Sequence, residues 1–306
     1  MSRPIHQLSA PALAVPLLLT LAGLLSPGAQ ALAHEYWLDP LGTHWQAGDH
    51  LAADVRNGEN FSGAALPFDP QAFSRAGLIS RHQRRPLNGR LGDYPAIRMP
   101  LEEAGLHLLL LETTRREISY ASDEQFSEFI EYHALNDALP PSWGERPADG
   151  IIREHYYRYC KALIPVAPSP ESSLQNNSAG EPSLARETVS EAGDAISDAP
   201  AAALQAQDQR LELIALNEPF AANALDLQLL FEGAPLVARQ VELFHRDMNE
   251  VVVRTTAQTD VHGRVSLALS GSGDYLVNSV WMLPSEEPSV HWTTLWASLF
   301  FQRTGH

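Results

Sequence analysis

Cysteine is nearly absent from this sequence, because Cys160 is the single cysteine among 306 residues. No intramolecular disulfide can therefore form, and zinc or iron–sulfur sites built from several cysteines are excluded. The chain is nevertheless long enough to hold two domains of ordinary size. We interpret Cys160 as a small buried residue and not as a nucleophile.

Basic residues are also scarce: 21 Lys and Arg stand against 37 Asp and Glu, which gives a formal net charge of −16. Nucleic-acid binding needs a basic surface that neutralises phosphates, so this balance argues against nucleic acid as a partner. Part of the charge is local, since residues 166–208 contain seven acidic residues and one arginine. This segment is rich in Ala, Ser and Pro and has no aromatic residue, which predicts a disordered acidic linker.

Apolar runs of membrane length are missing. The run at residues 17–25 (LLLTLAGLL) is much shorter than the roughly 20 residues that span a bilayer. It is followed by the small-residue patterns Ala-Gln-Ala and Ala-Leu-Ala, so residues 1–33 are predicted to be a signal peptide, cleaved after Ala31 or Ala33. The processed protein is then exported and not itself transmembrane. The lack of disulfides favours a bacterial periplasm.

Common catalytic motifs are absent as well. The sequence has no G-x-S-x-G elbow, no phosphate-binding loop of the G-x-x-x-x-G-K type and no H-E-x-x-H pair. Adjacent carboxylates such as Glu102-Glu103 lie in polar, loop-like surroundings and are interpreted as solvated. The sequence therefore predicts a protein that is not an enzyme.

The remaining pattern predicts a mainly β protein with two β-sandwich-like domains. Residues 209–302 contain six or seven short apolar segments separated by turn residues, as in a β-sandwich. Residues 34–165 also contain predicted strands, among them 106–111, which is apolar on both faces like a central strand. A capping box at Ser122 and an apolar stripe predict a helix near 123–138, inserted in this first domain. Residues 151–163 fit a helix and a strand equally well.

The predicted new N-terminus carries the strongest candidate for chemistry. After cleavage behind Ala33, His34 would offer an α-amine and an imidazole from one residue, and these can chelate a Ni, Co or Cu ion. The amine has a pKa of about 7.7–8.0, so metal binding can displace its proton near neutral pH. Glu35 could add an oxygen ligand. The alternative is that His34 is an ordinary frayed terminus, and cleavage after Ala31 would prevent the chelate.

A second metal ligand is not identified by the sequence. The other histidines of the mature chain form no i, i+4 pair and no His-x-His pair. We interpret His107, in a strand, and His262, in a turn, as structural.

Several short motifs, in their order and spacing, resemble the DUF4198 family. They cover nearly the whole mature chain except the linker: His34-Glu35-Tyr36-Trp37-Leu38, Gly58-Glu59-Asn60-Phe61, Arg153-Glu154, Tyr157-Arg158, Lys161-Ala162-Leu163, Gly233-Ala234-Pro235-Leu236, Thr259-Asp260, Gly263-Arg264, Trp292 and Leu295-Trp296-Ala297-Ser298-Leu299. Two features depart from the family pattern, namely the long acidic linker and Trp281, at a strand position where a histidine is expected.

The resemblance implies a periplasmic component of a nickel or cobalt uptake system. It also implies that the C-terminal sandwich is similar to transthyretin-like or carboxypeptidase-regulatory-like modules. We therefore predict a periplasmic accessory protein that binds Ni²⁺ or Co²⁺ through His34 and Glu35 and assists membrane transporter components. Two alternatives stay open: an envelope interaction module that binds protein or glycan without metal, and a periplasmic copper carrier that uses the same N-terminal histidine.

Overall fold

The computed structural model describes residues 34–120, 122–139, 149–170 and 201–304. Besides two short 3₁₀ helices, Asn136–Ala138 and Ala202–Leu204, these ranges contain one α-helix, α1 (Asp123–Tyr132). The strands are β1 (Glu35–Pro40), β2 (Trp45–Gln46), β3 (His50–Glu59), β4 (Ser62–Leu66), β5 (Phe73–Ile79), β6 (Arg84–Pro86), β7 (Ile97–Pro100), β8 (Gly105–Thr113), β9 (Arg116–Tyr120), β10 (Ile152–Ala167), β11 (Leu211–Ala215), β12 (Ala224–Phe231), β13 (Ala234–Pro235), β14 (Gln240–Arg246), β15 (Val252–Gln258), β16 (Arg264–Ala268), β17 (Gly273–Pro284) and β18 (Trp292–Arg303).

The strands form three sheets, and the protein is mainly β with a β-sandwich-like architecture, as predicted. The N-terminal sheet has the order β1-β3-β4, with β7 also paired to β3. The central sheet has ten strands in the order β15-β14-β17-β18-β10-β8-β5-β6, with β2 and β9 also paired to β10. The C-terminal sheet has the order β11-β12-β13, with β16 also paired to β12.

The middle of the central sheet is covered on both faces, which explains why β8 is apolar on both of its faces. On β8, Leu108 and Leu110 belong to the core shared with the C-terminal sheet, while Leu109 and Leu111 belong to the core shared with the N-terminal sheet. Successive side chains of a strand point to opposite faces, so one run of leucines supplies both cores. The prediction of a central strand at 106–111 is thus confirmed.

The two predicted domains do not have separate sheets. Strand β10 of the first runs parallel to β18 of the second, from the pair Glu154 and Trp292 to the pair Ala162 and Phe300. The described residues accordingly form one compact unit. A buried strand needs hydrogen-bonding neighbours on both edges for its backbone, and here one of those neighbours comes from the far end of the chain. Strand β10 also shows that the stretch 151–163, whose sequence fits a helix and a strand equally well, is extended from Ile152 onward.

The predicted linker extends too far at both ends. Strand β10 continues to Ala167, and residues 201–208 pack on the core through Ala203 and Gln207, both buried. The backbone N–H of Gln207 donates to Glu212 Oε1 at 2.5 Å, which anchors this segment. Most of the predicted linker, residues 171–200, and the predicted signal peptide, residues 1–33, lie outside the described residues.

The predicted helix is present but shorter than expected. Ser122 Oγ accepts a hydrogen bond from the Gln125 backbone N–H at 3.3 Å, which confirms the predicted N-cap. The helix ends at Tyr132, because Ala134 adopts a positive φ of 52° that no longer continues it. In the part of the chain that the structure describes, no helix has both the length and the hydrophobicity needed to cross a membrane.

Candidate functional site

A cavity of about 290 Å³ lies where the start of β1, the end of β3 and helix α1 meet. Its lining contains two histidines, three carboxylic acids and two aromatic residues: His34, Glu35, Glu59, Glu128, Phe129, Tyr132 and His133. Both residues of the predicted metal site, His34 and Glu35, therefore face one cavity, and a second histidine joins them.

The β1–β3 pairing brings the first residues of the predicted mature chain to this place. Glu35 lies opposite Gly58 in the antiparallel register, so the end of β3 runs beside His34. The chain then turns sharply through Asn60 and Phe61, both with positive φ, into β4. In this turn the Asn60 backbone N–H donates to Glu35 Oε2 at 3.1 Å, which orients the buried carboxyl group.

Helix α1 supplies the opposite wall. Its apolar stripe buries Phe126, Phe129 and Ile130 against Trp292 and Trp296 of β18. This packing places the next turn of the helix, with Tyr132 and the C-cap residue His133, at the cavity.

His133 is held in one orientation by a buried carboxylate. Its Nδ1 lies 2.8 Å from Glu242 Oε1 on β14. A carboxylate only accepts hydrogen bonds, so Nδ1 carries a proton, and in the neutral form of the ring Nε2 keeps its lone pair. Glu242 also accepts from Asn278 Nδ2 at 2.8 Å and from Arg254 Nη2 at 2.9 Å. Burial alone would raise the pKa of Glu242, but His133, Asn278 and Arg254 outweigh it and lower that pKa to about 2.

The two predicted site residues have shifted pKa values. Burial is the main reason that the pKa of Glu35 rises to about 8, and repulsion from Glu242 adds to it, while the Asn60 N–H opposes it. The pKa of His34 is lowered by burial and by the nearby Arg158 charge, against the opposing effect of Glu59. Near neutral pH this cavity therefore holds an uncharged imidazole at His34 and an uncharged carboxyl at Glu35.

The side chains alone do not form a complete metal centre. Among the described residues, no group of three or more His, Cys, Asp or Glu side chains is arranged to hold a metal ion. The roles of His34 and Glu35 as ligands remain predictions. A terminal amine on His34 would add a donor that is not a side chain, so the predicted chelate needs fewer side-chain ligands.

Sequence reasoning missed His133 and Glu242. His133 was visible only as one member of the helical stripe, and nothing local connects it to His34, about 100 positions earlier. Glu242 did carry a signal, because it is a charged residue between Val241 and Leu243 within a predicted strand. Trp281, the departure from the family pattern, lies on β17 beneath the Arg239 guanidinium and does not line this cavity.

Comparison with known proteins bears mainly on the C-terminal part of the chain. No curated protein matches the sequence. One family model matches, over residues 187–282, a range that includes Glu242 but neither His34 nor His133. That model is described as a domain of unknown function, DUF4198, and its match supports the family resemblance that the motifs of the sequence indicate.

Proposed function

We propose that the exported protein binds a transition-metal ion, Ni²⁺ or Co²⁺, in the His34 cavity and assists its uptake from the periplasm. The observation that carries the proposal is that His34 and His133 line the same cavity although they are distant in sequence. Two histidines that meet in an acid-lined cavity provide the donor types that Ni²⁺ and Co²⁺ accept.

The surroundings of His133 favour the role of a metal ligand. Histidines that bind metals usually donate their second ring N–H to a carboxylate, which fixes the tautomer and the ring orientation. Glu242 makes that contact at 2.8 Å. The His133 ring is further restrained by edge contacts with Trp296 and Phe129, at centroid distances of 4.9 and 5.2 Å. The His133 ring therefore loses little conformational freedom when a metal ion binds.

The other donors come from the predicted N-terminus and from carboxylates. Cleavage after Ala33 would make His34 a chelating residue through its amine and imidazole. Glu59 and Glu128 are exposed at the same cavity and attract cations, and Glu35 is the proposed oxygen ligand. The DUF4198 resemblance and the predicted signal peptide support a periplasmic location and a membrane transporter as the receiving partner.

Isothermal titration of correctly processed protein with Ni²⁺, Co²⁺ and Cu²⁺ tests the proposal. Intact-mass spectrometry first establishes that the chain begins at His34. We expect one saturable site. Adding one residue ahead of His34 should weaken the metal affinity at least about tenfold, and His133→Ala should weaken it similarly, because each change removes one nitrogen donor. His262→Ala is the matched control, since His262 is exposed on the turn after β15, and it should bind like the unaltered protein.

The outcomes separate the alternatives. A nitrogen-rich site prefers Cu²⁺ over Ni²⁺ in any case, so only saturable Cu²⁺ binding without saturable Ni²⁺ or Co²⁺ binding would support the copper carrier. Both variants should keep the circular dichroism spectrum of the unaltered protein. If neither the added residue nor His133→Ala then changes the metal affinity, this cavity is not the metal site. No saturable binding of any of the three metals would favour the envelope interaction module.

A further inference from the structure

Arg158 is a buried arginine that has no acidic partner in the described part of the chain. It lies on β10 with 6% of its surface exposed, and its Nη1 donates to Asn57 Oδ1 at 2.9 Å. Within the described ranges, no carboxylate oxygen lies within 4.0 Å of its guanidinium nitrogens, although ten other arginine–carboxylate pairs are within that distance. The next acidic residue on its face of β10 is Glu154, four positions away and so roughly 13 Å along the strand.

Aromatic rings compensate this charge only in part. The guanidinium carbon lies 4.9 Å from the ring centroid of Tyr36, 5.1 Å from that of Tyr156 and 5.5 Å from that of Trp296. Ring faces attract a cation but do not accept the hydrogen bonds that its N–H groups make in the guanidinium plane. Arg158 Nε is accordingly buried, and among the described residues it has no hydrogen-bond partner. A buried charge with an unmade hydrogen bond is costly unless a ligand completes it.

The same arginine lines a cavity of about 260 Å³ whose polar residues are mostly donors. Arg116 of β9 brings a second guanidinium to it, and Asn57 brings an amide. Thr113 Oγ1 accepts from the Arg158 backbone N–H at 3.0 Å, which leaves its own hydroxyl hydrogen to donate. The lining includes no Asp and no Glu among the described residues, and it shares no residue with the His34 cavity.

We propose that this cavity, the Arg158 cavity, binds a small oxyanion, namely the carboxylate or phosphate group of a small molecule. With Nη1 engaged by Asn57, Nε and Nη2 are the guanidinium nitrogens that form no hydrogen bond with the described residues, and their two parallel N–H groups match two oxygens of such a group. Arg116 supplies a second positive charge. The inference is independent of the metal proposal and holds whether or not His34 binds a metal.

Titration of metal-free, full-length processed protein with succinate and with inorganic phosphate, at constant ionic strength, tests this inference. The readouts are calorimetry and tryptophan fluorescence, because Trp296 contacts the guanidinium. We expect saturable binding of at least one probe, weakened about tenfold by Arg116→Ala through the loss of one charged donor. Arg98→Ala is the control: Arg98 is exposed on β7 outside the cavity, its loss changes the net charge equally, and binding should stay unchanged.

The two probes distinguish the ligand classes. Saturation by succinate alone identifies a carboxylate site, saturation by phosphate alone a phosphate site, and saturation by both a general oxyanion site. Arg158→Lys keeps the charge but loses the planar fork, so it should abolish binding if the variant folds. If the Arg158→Lys variant does not fold, the Arg116→Ala variant still tests the proposal. The proposal is wrong if neither probe saturates, or if Arg98→Ala weakens binding as much as Arg116→Ala.

Discussion

Glu154 and Glu242 are both buried carboxylates, yet their surroundings shift their pKa values in opposite directions. Glu242 is surrounded by charged and amide donors, which lower its pKa to about 2. Among the described residues, Glu154 on β10 receives hydroxyl donors alone, from Tyr120 at 2.9 Å and from Thr294. Burial outweighs these donors and the charge of Arg158, so the pKa of Glu154 rises from 4.5 to about 7. Hydroxyl groups offset desolvation of a carboxylate less than cations do.

This difference predicts how stability depends on pH at Glu154. Because its pKa is higher in the folded than in the unfolded state, its contribution is fully present below pH 4.5 and is lost as the pH rises through about 7. Glu154→Gln should therefore raise the free energy of unfolding at pH 8 by on the order of 1–3 kcal/mol, with little change at pH 4.5. Urea denaturation of the variant and the unaltered protein at pH 4.5 and pH 8 measures these two changes in the free energy of unfolding.

Glu242→Gln provides the contrast. Its pKa is lower in the folded state, so its contribution is present above pH 4.5 and is lost only as the pH falls towards 2. The amide should therefore destabilise the protein at pH 7 and pH 8 alike. A Glu154→Gln variant that is less stable than the unaltered protein at pH 8 would contradict the assignment.

At the scale of elements, the β3–β4 hairpin explains one of the family motifs. Gly58 lies where β3 and β4 approach so closely that a Cβ would stand 2.1 Å from the Ser62 carbonyl oxygen and 2.2 Å from the Gly63 Cα. Both neighbours are backbone atoms, so the strand itself would have to move. Two residues later the hairpin orients the Asn60 N–H towards Glu35.

Gly58→Ala should consequently destabilise the protein by about 2 kcal/mol or more, because overpacking against backbone cannot be relieved by a rotamer change. Gly42→Ala is the matched control. The described atoms nearest to its Cβ all belong to the side chain of Trp45, the first at 2.9 Å. This side chain can turn aside, so the cost should be under about 1 kcal/mol. Thermal unfolding of both variants measures the difference, and equal costs would show that the hairpin tolerates the extra methyl group.

For the whole molecule, one buried ion pair joins the two predicted domains. Lys161 on β10 donates to Glu212 Oε1 on β11 at 2.5 Å and to the Leu213 carbonyl oxygen at 3.0 Å, with both charged side chains at most 3% exposed. Together with the β10–β18 pairing, this contact makes the N-terminal and C-terminal segments stabilise each other.

Lys161→Met should therefore lower the free energy of unfolding by roughly 3–5 kcal/mol, because Glu212 is left as a buried charge without its partner. Calorimetry should show a single transition at a lower temperature, since both segments unfold together. Arg210→Met breaks an exposed pair with Glu232 and should cost less than about 1 kcal/mol. Two separate transitions, of which Lys161→Met shifts only one, would mean that the segments unfold independently.

Local patterns in the sequence were sufficient for the β class, for the helix behind Ser122 and for the central strand at 106–111. Each of these depends on periodicity or on capping within a few residues. They also placed His34 and Glu35 as candidate ligands, because the predicted cleavage and the donor chemistry are both local.

Only the tertiary structure decided which distant residues meet. Strand β10 pairs with β18, His133 and His34 line one cavity, and Arg158 is buried between Tyr36 and Trp296. Each of these arrangements joins parts of the chain that are far apart in sequence. Strand pairing is non-local, and a strand that is apolar on both faces fits many partners equally well. The sequence by itself thus determined most of the elements and one end of the candidate site, while the packing of helix α1 and the sheets determined its other residues.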